Sequence, residues 1–186
     1  MKKTIYKIRL YINVFKYWFK NYLNPINKND NIVFLEQYFK NKKSGFYIDV
    51  GCFHPIRYSN TMFLHAKGWM GMNIDLSKES IDLFKIVRPK DTNLNFGVGS
   101  KNETLEYFYS KNVFLNNTFD IDFAKSFLKK NKIKKSTIEV KTLSCIIEEY
   151  STETKIDLLD IDAEGFDFEV LKGINSIGLI VNHQQK

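Results

Sequence analysis

Apolar and polar positions follow two rhythms along the chain, and these rhythms predict strands and helices in alternation. Between residues 46 and 181, short apolar runs are separated by segments with apolar residues three and four positions apart. The first pattern is typical of buried strands and the second of helices packed on them. The predicted strands cover residues 46–51, 70–75, 92–98, 105–109, 138–142, 156–161 and 177–181. The predicted helices cover residues 30–41, 60–66, 77–87, 122–130, 143–150 and 166–171.

This alternation predicts an α/β fold. Strands that alternate with helices form a mostly parallel sheet with right-handed crossovers and a helix layer on each face, which is a three-layer sandwich. Two serines are predicted N-caps, Ser59 for the helix over 60–66 and Ser77 for the helix over 77–87. In such a sheet ligands bind outside the carboxyl ends of the strands, so the polar residues at those ends are the candidate functional residues.

Residues 1–29 have a different character from the rest of the chain. They hold seven basic residues and no acidic one, whereas the remaining chain balances 21 basic with 21 acidic residues. One helical face is apolar and carries Ile5, Ile8, Ile12, Phe15, Phe19 and Tyr22. We expect a basic amphipathic helix over residues 1–24 that either lies on an anionic membrane surface or packs on the body or on a partner.

Composition narrows the class of protein. The 186 residues, with 44% hydrophobic and 26% charged residues, are typical of one globular domain. No apolar run is long enough for a strong transmembrane helix, and Lys7, Arg9 and Lys16 break any secretory signal. The neutral body argues against nucleic-acid binding. Cys52 and Cys145 form no CxxC pair and no zinc pattern with the three histidines, which favours reduced thiols in a cytoplasmic protein.

Three predicted strands end on acidic residues. Asp49 precedes Gly51 at the turn after the first strand, Asp75 ends the second, and Asp160 and Asp162 end the strand over 156–161. A carboxylate in the position of Asp75 can accept hydrogen bonds from both hydroxyls of a ribose. The turn has one glycine and no GxGxxG pattern, which disfavours a pyrophosphate cofactor such as NAD. A nucleoside cofactor without phosphates, S-adenosylmethionine above all, fits better, with an acid near Asp49 facing its ammonium.

The segment Asp160-Ile161-Asp162-Ala163-Glu164 leaves several uses open. Residues 160 and 162 of one strand point to the same side. The acids can supply a general base for a hydroxyl nucleophile or ligands for a divalent cation. Alternatively, Asp162 is the N-cap of the next helix, with Glu164 in its first turn.

Six sequence blocks, taken together and in order, resemble the FkbM family of S-adenosylmethionine-dependent methyltransferases. The blocks are FYIDVGCFHPIRYSNT (46–61), GWMGMNIDLS (68–77), LFKIVRPKDTNLNFGVGS (83–100), LNNTFD (115–120), VKTLSCIIEEY (140–150) and IDLLDIDAEGFDFEVLKG (156–173). The resemblance implies a Rossmann-like class I methyltransferase fold over residues 30–186, and O-methylation of a small-molecule or glycan acceptor. Relative to the family, residues 1–29 are additional and the last strands are expected to be missing at the C-terminus.

The resemblance also implies roles for individual residues. Asp75, with Leu76 and Ser77, would hold the ribose. Gly97 and Val98 would flank the adenine. The methionine end would lie near Asp49, Gly51 and Cys52, and Asn60 would line the same cleft. Asp162 and Glu164 would lie beside the transferred methyl, and His54 or Asp162 is the expected general base. No metal is expected.

Two other functions remain open at this point. Asp160-Ile161-Asp162 resembles the DxD motif of metal-dependent nucleotide-sugar glycosyltransferases, although Asp49 and Asp75 then have no role. In the second alternative, the chain is a shortened, non-catalytic paralogue that acts at a membrane surface through residues 1–24. The oligomeric state and the methyl acceptor do not follow from the residues.

Overall fold

The computed structural model describes residues 2–23, 30–110, 117–127, 132–153 and 155–174. These residues form seven helices and seven strands. The helices are α1 (Lys2–Leu23), α2 (Asp30–Tyr38), α3 (Met62–Ala66), α4 (Lys78–Val87), α5 (Ile121–Phe127), α6 (Leu143–Tyr150) and α7 (Asp167–Lys172). The strands are β1 (Phe46–Val50), β2 (Met70–Ile74), β3 (Thr92–Leu94), β4 (Gly97–Val98), β5 (Glu103–Tyr109), β6 (Lys134–Lys141) and β7 (Leu158–Ile161).

The main sheet is parallel and has the strand order β3-β2-β1-β7. Val50 at the end of β1 is in register with Ile74 of β2 and with Ile161 of β7. The carboxyl ends of these three strands therefore lie side by side, and the chain leaves β1 for β2 on one side while β7 lies on the other. This arrangement is the topological switch point where open α/β sheets bind ligands. The predicted α/β, Rossmann-like fold with a mostly parallel sheet is confirmed.

Helices cover both faces of the main sheet because successive strand residues alternate between the two faces. On one face, Ile48, Met72 and Leu159 pack in a buried cluster with residues of α6 and α7. On the other face, Tyr47 and Leu158 pack with residues of α2 and α3. Burial of each large side chain contributes roughly 1.5–3 kcal/mol. The predicted three-layer sandwich is therefore present.

The predicted third strand over 92–98 is wrong in one respect. It divides into β3, which joins the main sheet, and β4, which joins a second sheet of order β4-β6-β5. Between them, the Asn95 side chain donates to the carbonyl oxygens of Asp75 (2.8 Å) and Leu76 (2.9 Å) and turns the chain. β6 pairs parallel with β4 and antiparallel with β5, so this second sheet is mixed, in contrast to the parallel main sheet.

Two predicted helix boundaries also need correction. The short third helix begins at Met62 after Thr61, and Ser59 is not its N-cap. The second helix ends at Tyr38 and continues as a turn rather than reaching residue 41. Ser77, by contrast, is the N-cap of α4 and accepts a hydrogen bond from the Ser80 amide (3.2 Å). The predicted strand over 177–181 and residues 128–130 of the predicted fifth helix lie outside the described residues.

Helix α1 packs on the body through the face opposite the predicted apolar face. The Tyr6 hydroxyl donates to Asp82 of α4 (2.8 Å), Arg9 pairs with Glu79 (2.6 Å), and Leu10 is buried. The apolar residues of the other face, Ile5, Ile8, Ile12, Phe15, Phe19 and Tyr22, are exposed. In the part of the chain that the structure describes, no helix has the length and apolar character needed to cross a bilayer.

Candidate active site at the carboxyl ends of the strands

A narrow cleft lies at the carboxyl ends of β1, β2 and β7. Six residues that the sequence predicts for the site line it: Gly51, Asp75, Leu76, Val98, Asp162 and Glu164. The sequence prediction missed Phe53, Phe96, Asn117 and Phe119, which also line it. Aromatic walls and carboxylate side chains therefore share one cleft. Phe96 and Phe119 lie in the sequence blocks 83–100 and 115–120, but the resemblance gave neither residue a role.

Gly51 is required where β1 ends because the chain there passes very close to β7. Its φ angle is +81°, a conformation that residues with a side chain rarely adopt. A Cβ atom at this position would lie 2.1 Å from the carbonyl oxygen of Asp162. The glycine therefore brings the backbone of residue 51 against residue 162 and closes the floor of the cleft.

Asp75 follows β2 and is held in place by two backbone amides. Phe53 donates to Oδ2 (2.8 Å) and Ser77 donates to Oδ1 (2.7 Å). Each carboxylate oxygen can accept a further hydrogen bond. Burial raises the pKa of Asp75 to about 6, while the two amide hydrogen bonds act in the opposite direction. Above that pH the side chain is a buried acceptor that faces the cleft.

Asp49 and Asp160 are register partners on adjacent strands and form a pair of acids behind the cleft. Thr61 donates to Asp49 (2.7 Å), and the Asn60 side-chain amide donates to Asp160 (3.0 Å). Burial, together with the mutual repulsion of neighbouring acids, raises the pKa of both carboxyls. Neither Asp49 nor Asn60 is among the residues that line the cleft. Asn60 positions the Asp160 side chain through its hydrogen bond.

A fully buried arginine, Arg88, anchors the wall behind these acids. Its guanidinium donates to the Thr61 hydroxyl (2.8 Å), the Ser59 hydroxyl (2.8 Å) and the Pro55 carbonyl (2.8 Å). Thr61 in turn donates to Asp49, so one hydrogen-bonded chain joins the end of α4 to β1. The sequence prediction missed Arg88, because a lone arginine before Pro89 carries no recognisable pattern.

His54 is buried, and both of its ring nitrogens are engaged. Nδ1 accepts from the amides of Ile56 (3.1 Å) and Arg57 (3.0 Å). Nε2 therefore carries the proton and donates to the Asn13 side-chain oxygen of α1 (2.9 Å). Burial, assisted by Arg57 and Arg88, lowers the pKa of His54 to about 4. His54 does not line the cleft, and this geometry favours a structural role over that of a general base.

Asp162 and Glu164 both line the cleft, in the turn between β7 and α7. The alternative assignment of Asp162 as a helix N-cap is wrong, because α7 begins at Asp167 after Phe166. Glu164 is in the turn before α7, with a positive φ of 42°, and not in its first turn. No group of three or more His, Cys, Asp or Glu side chains among the described residues could hold a metal ion. The DxD interpretation of Asp160 and Asp162 therefore receives no support.

The remaining predicted residues lie around the cleft rather than in it. Cys52 is buried against Ile81 and Phe84, and burial raises the pKa of its thiol. Ser77 caps α4 and lines a neighbouring cleft. Gly97 packs so closely on Phe119 that a Cβ there would lie 2.6 Å from that ring. These positions shape the walls, whereas Leu76 and Val98 contact the cleft directly.

The two clefts differ in size and meet at Asn117. The first encloses a cavity of about 40 Å³, smaller than the roughly 300–1,000 Å³ of typical ligand pockets. The second has a cavity of about 470 Å³ and is lined by Lys3, Tyr6, Ser77, Lys78, Glu79, Tyr107, Tyr109 and Asn117. A nucleoside therefore fits the first cleft only if some of the side chains that line it move apart.

Comparison with known proteins agrees with this architecture. No curated protein and no solved structure matches the chain. The family model described as the methyltransferase FkbM domain matches residues 37–184, which is most of the chain and includes all three strands whose ends form the cleft. The chain therefore belongs to the FkbM methyltransferase family.

Proposed function

We propose that this methyltransferase uses S-adenosylmethionine to methylate a hydroxyl group on a sugar, polysaccharide or secondary metabolite. The observation that carries the proposal is Asp75, a buried carboxylate at the end of β2 that two backbone amides hold facing the cleft. Its remaining lone pairs suit the two hydroxyls of a ribose, which is the use of such an acid in nucleoside-binding α/β folds.

The rest of the cleft fits the other parts of this cofactor. Phe96, Val98 and Phe119 offer an apolar wall for the adenine ring. Asp162 lines the cleft, and the acids Asp49 and Asp160 lie behind it. A carboxylate cluster of this kind favours a ligand with positive charge, such as an ammonium or a sulfonium group. Arg88 offsets part of the negative charge through its effect on Asp49.

The chemistry required of the protein is modest. When bound, the cofactor supplies a methyl group on a sulfonium that is already a good leaving group. The protein aligns the acceptor hydroxyl with that methyl. It takes up the hydroxyl proton as the new C–O bond forms and the bond between sulfur and the methyl breaks. Asp162 and Glu164 are the candidate bases, since both are carboxylates that line the cleft.

The second cleft supports a hydroxyl-rich acceptor. It adjoins the cofactor cleft at Asn117, which lines both. Its walls carry the hydroxyls of Tyr6, Tyr107 and Tyr109 beside charged Lys78 and Glu79. Such walls can hydrogen-bond many hydroxyl groups of a polar acceptor. A polar cleft beside the proposed cofactor cleft favours transfer of the methyl to a hydroxyl oxygen over transfer to an apolar carbon.

Binding of S-adenosylhomocysteine to the full chain tests the proposal. Replacing Asp75 with alanine should weaken binding by about 1–3 kcal/mol at neutral pH, because the ribose hydroxyls lose a buried acceptor. Binding by the unchanged protein should also strengthen as the pH rises through about 6, where Asp75 ionises. Isothermal titration calorimetry measures both effects.

Asp157→Ala is the matched control for this experiment. Asp157 accepts a hydrogen bond from the amide of Phe46 at the opposite, amino-terminal end of β1 (3.1 Å), so its loss should leave the affinity unchanged. Unchanged affinity in Asp75→Ala would remove this residue from the site. A melting point raised by manganese with a nucleotide sugar, and not by S-adenosylhomocysteine, would replace the proposal with the glycosyltransferase alternative.

A further inference from the structure

The outward face of α1 is a continuous apolar surface bordered by cations. At about 100° per residue, the exposed apolar side chains of α1 cover an arc of roughly 140° from Trp18 to Ile5. They are Ile5, Ile8, Tyr11, Ile12, Phe15, Trp18, Phe19 and Tyr22, each between 47% and 73% exposed. Phe15, Trp18, Phe19 and Tyr22 stack along the helix. An exposed apolar patch of this extent marks an interaction surface.

The charges around this surface identify its partner. On the same helical projection, Lys7 borders one side of the arc, and Lys16 and Lys20 border the other. All three lysines are exposed, and residues 1–29 contain no acidic residue. A protein partner with a matching apolar groove would not need cations on both edges, whereas an anionic lipid surface attracts both edges while the apolar arc enters the headgroup region.

We propose that α1 lies in the surface of an anionic membrane, with the arc from Trp18 to Ile5 facing the lipid. Trp18, Tyr11 and Tyr22 belong to the residue types that favour the membrane–water interface. One side of this helix of about 33 Å is held on the body by Tyr6 and Arg9, so the helix lies along the membrane surface rather than across the bilayer. The long lysine side chains on its edges can reach the lipid phosphates while the apolar arc is buried.

The inward face of α1 connects this surface to the cofactor cleft. Asn13 accepts from His54 (2.9 Å), and Tyr17 contacts the His54 ring edge-on, in the loop after β1. Tyr6 and Arg9 bind Asp82 and Glu79 of α4, just after the Asp75 turn. Docking through the outward face leaves these contacts intact, so α1 on a membrane would still hold the loop after β1 and helix α4, which adjoin the cleft.

Vesicle binding by the full chain tests the proposal, and the protein contains its own probe. Of its two tryptophans, Trp18 lies on the outward face (55% exposed) and Trp69 is buried in the core (1% exposed). Vesicles of phosphatidylcholine with about one quarter phosphatidylglycerol should shift the Trp18 emission to shorter wavelength, and vesicles of phosphatidylcholine alone should bind much more weakly. Trp18→Phe should abolish the shift, and added salt should weaken binding.

Matched variants separate this surface from general stickiness. Phe15→Ser should weaken binding to the anionic vesicles at least about tenfold, whereas Phe168→Ser on α7, a phenylalanine of similar exposure (68% against 64%), should not. Lys16→Gln with Lys20→Gln should weaken it about tenfold or more. The exposed pair Lys85→Gln with Lys90→Gln should leave it unchanged.

Three results would overturn the proposal. One is equal binding to both kinds of vesicle or to neither. Another is an equal loss of binding in Phe15→Ser and Phe168→Ser. The third is a dimer that dissociates in Phe15→Ser but stays intact when anionic vesicles are added. That result would assign the arc to contact with a second copy of the chain. Because the readout is vesicle binding, the result does not depend on whether the protein transfers methyl groups.

Discussion

Backbone strain at single residues is concentrated around the cleft at the carboxyl ends of β1, β2 and β7. Among the described residues, Phe53 (φ 52°), Tyr58 (φ 54°) and Glu164 (φ 42°) are the non-glycine residues with positive φ. Phe53 and Glu164 both line the cleft. Each such conformation costs on the order of 1–3 kcal/mol and persists only where the surrounding structure requires it. Here it directs the Phe53 amide to Asp75 and places Glu164 in the wall.

Gly51 gives a prediction that separates backbone strain from close packing. Gly51→Ala and Gly68→Ala both force alanine into a positive φ (+81° and +88°), which costs roughly 1–2 kcal/mol. Only at residue 51 does the new Cβ meet an atom, the Asp162 carbonyl oxygen at 2.1 Å; at residue 68 there is nothing within 4 Å. Urea denaturation should show a markedly larger loss for Gly51→Ala, together with loss of S-adenosylhomocysteine binding.

The matched glycine decides how this result is interpreted. Gly68→Ala should keep full cofactor affinity, since it ends the segment before β2 far from the carboxyl ends of the strands. Equal losses of stability in the two variants would show that the approach of residues 51 and 162 is not a constraint. Retained binding in Gly51→Ala would separate that approach from the cofactor site.

At the scale of elements, Arg88 ties α4 to β1, α3 and the loop between them. Removing its charge in Arg88→Met would leave the acceptors on Ser59 and Pro55 without their donor and Asp49 without its nearby cation. We expect a loss of about 2–6 kcal/mol in the free energy of unfolding, because two buried acceptors lose a charged donor at roughly 1–3 kcal/mol each. Urea denaturation measures this loss.

Arg57→Met is the control for that variant. Arg57 is half-buried and lies over the rings of Tyr17 and Tyr58. Its loss should cost no more than about 1 kcal/mol, as expected for a partly exposed cation–π contact. A cost for Arg88→Met as small as that for Arg57→Met would mean that water replaces the guanidinium, and the anchoring role would be lost.

The sequence predicted the elements well where one periodicity covers a whole element. β1, β2, β7 and α6 were found because each is one apolar run or one amphipathic turn pattern. The division of 92–98 depends on the Asn95 side chain binding two carbonyls from another turn, and no local pattern contains that contact. The antiparallel pairing of β5 with β6 likewise depends on residues about 30 positions apart.

The candidate site was predictable to the same extent. Acids that follow strands could be placed in one cleft, because parallel strands align their carboxyl ends, and Asp75 and Asp162 lie there. His54 could not be judged from sequence, since its partner Asn13 comes from α1, 41 positions away. The inward face of α1, which packs on the body, could not be predicted either. Tyr6, Asn13 and Tyr17 bind there through polar atoms, and a search for apolar periodicity does not detect them.

At the scale of the whole molecule, the charges are divided between two regions. The net charge of +7 comes from residues 1–29, while the body is neutral overall. Within the body, Asp49, Asp75 and Asp160 are buried or half-buried near one another, and burial raises the pKa of each. When ionised, these acids destabilise the fold without a ligand, which is a common cost of a functional site. A cationic ligand in the cleft would relieve that repulsion.

This cost predicts a pH-dependent stability that Asp75→Asn should remove. The pKa of Asp75 is raised from 3.8 to about 6 in the folded protein. Its contribution to stability is therefore fully present below about pH 4 and is lost as the pH rises through 6.

The asparagine variant has no such loss, so its free energy of unfolding should rise relative to the unchanged protein by about 1–3 kcal/mol between pH 4 and 7. Urea denaturation at several pH values, without cofactor, measures the difference. If the difference for Asp75→Asn does not change with pH, the carboxyl ionises in the folded protein as it does in the unfolded chain, and the buried acceptor assigned to the ribose is solvated instead.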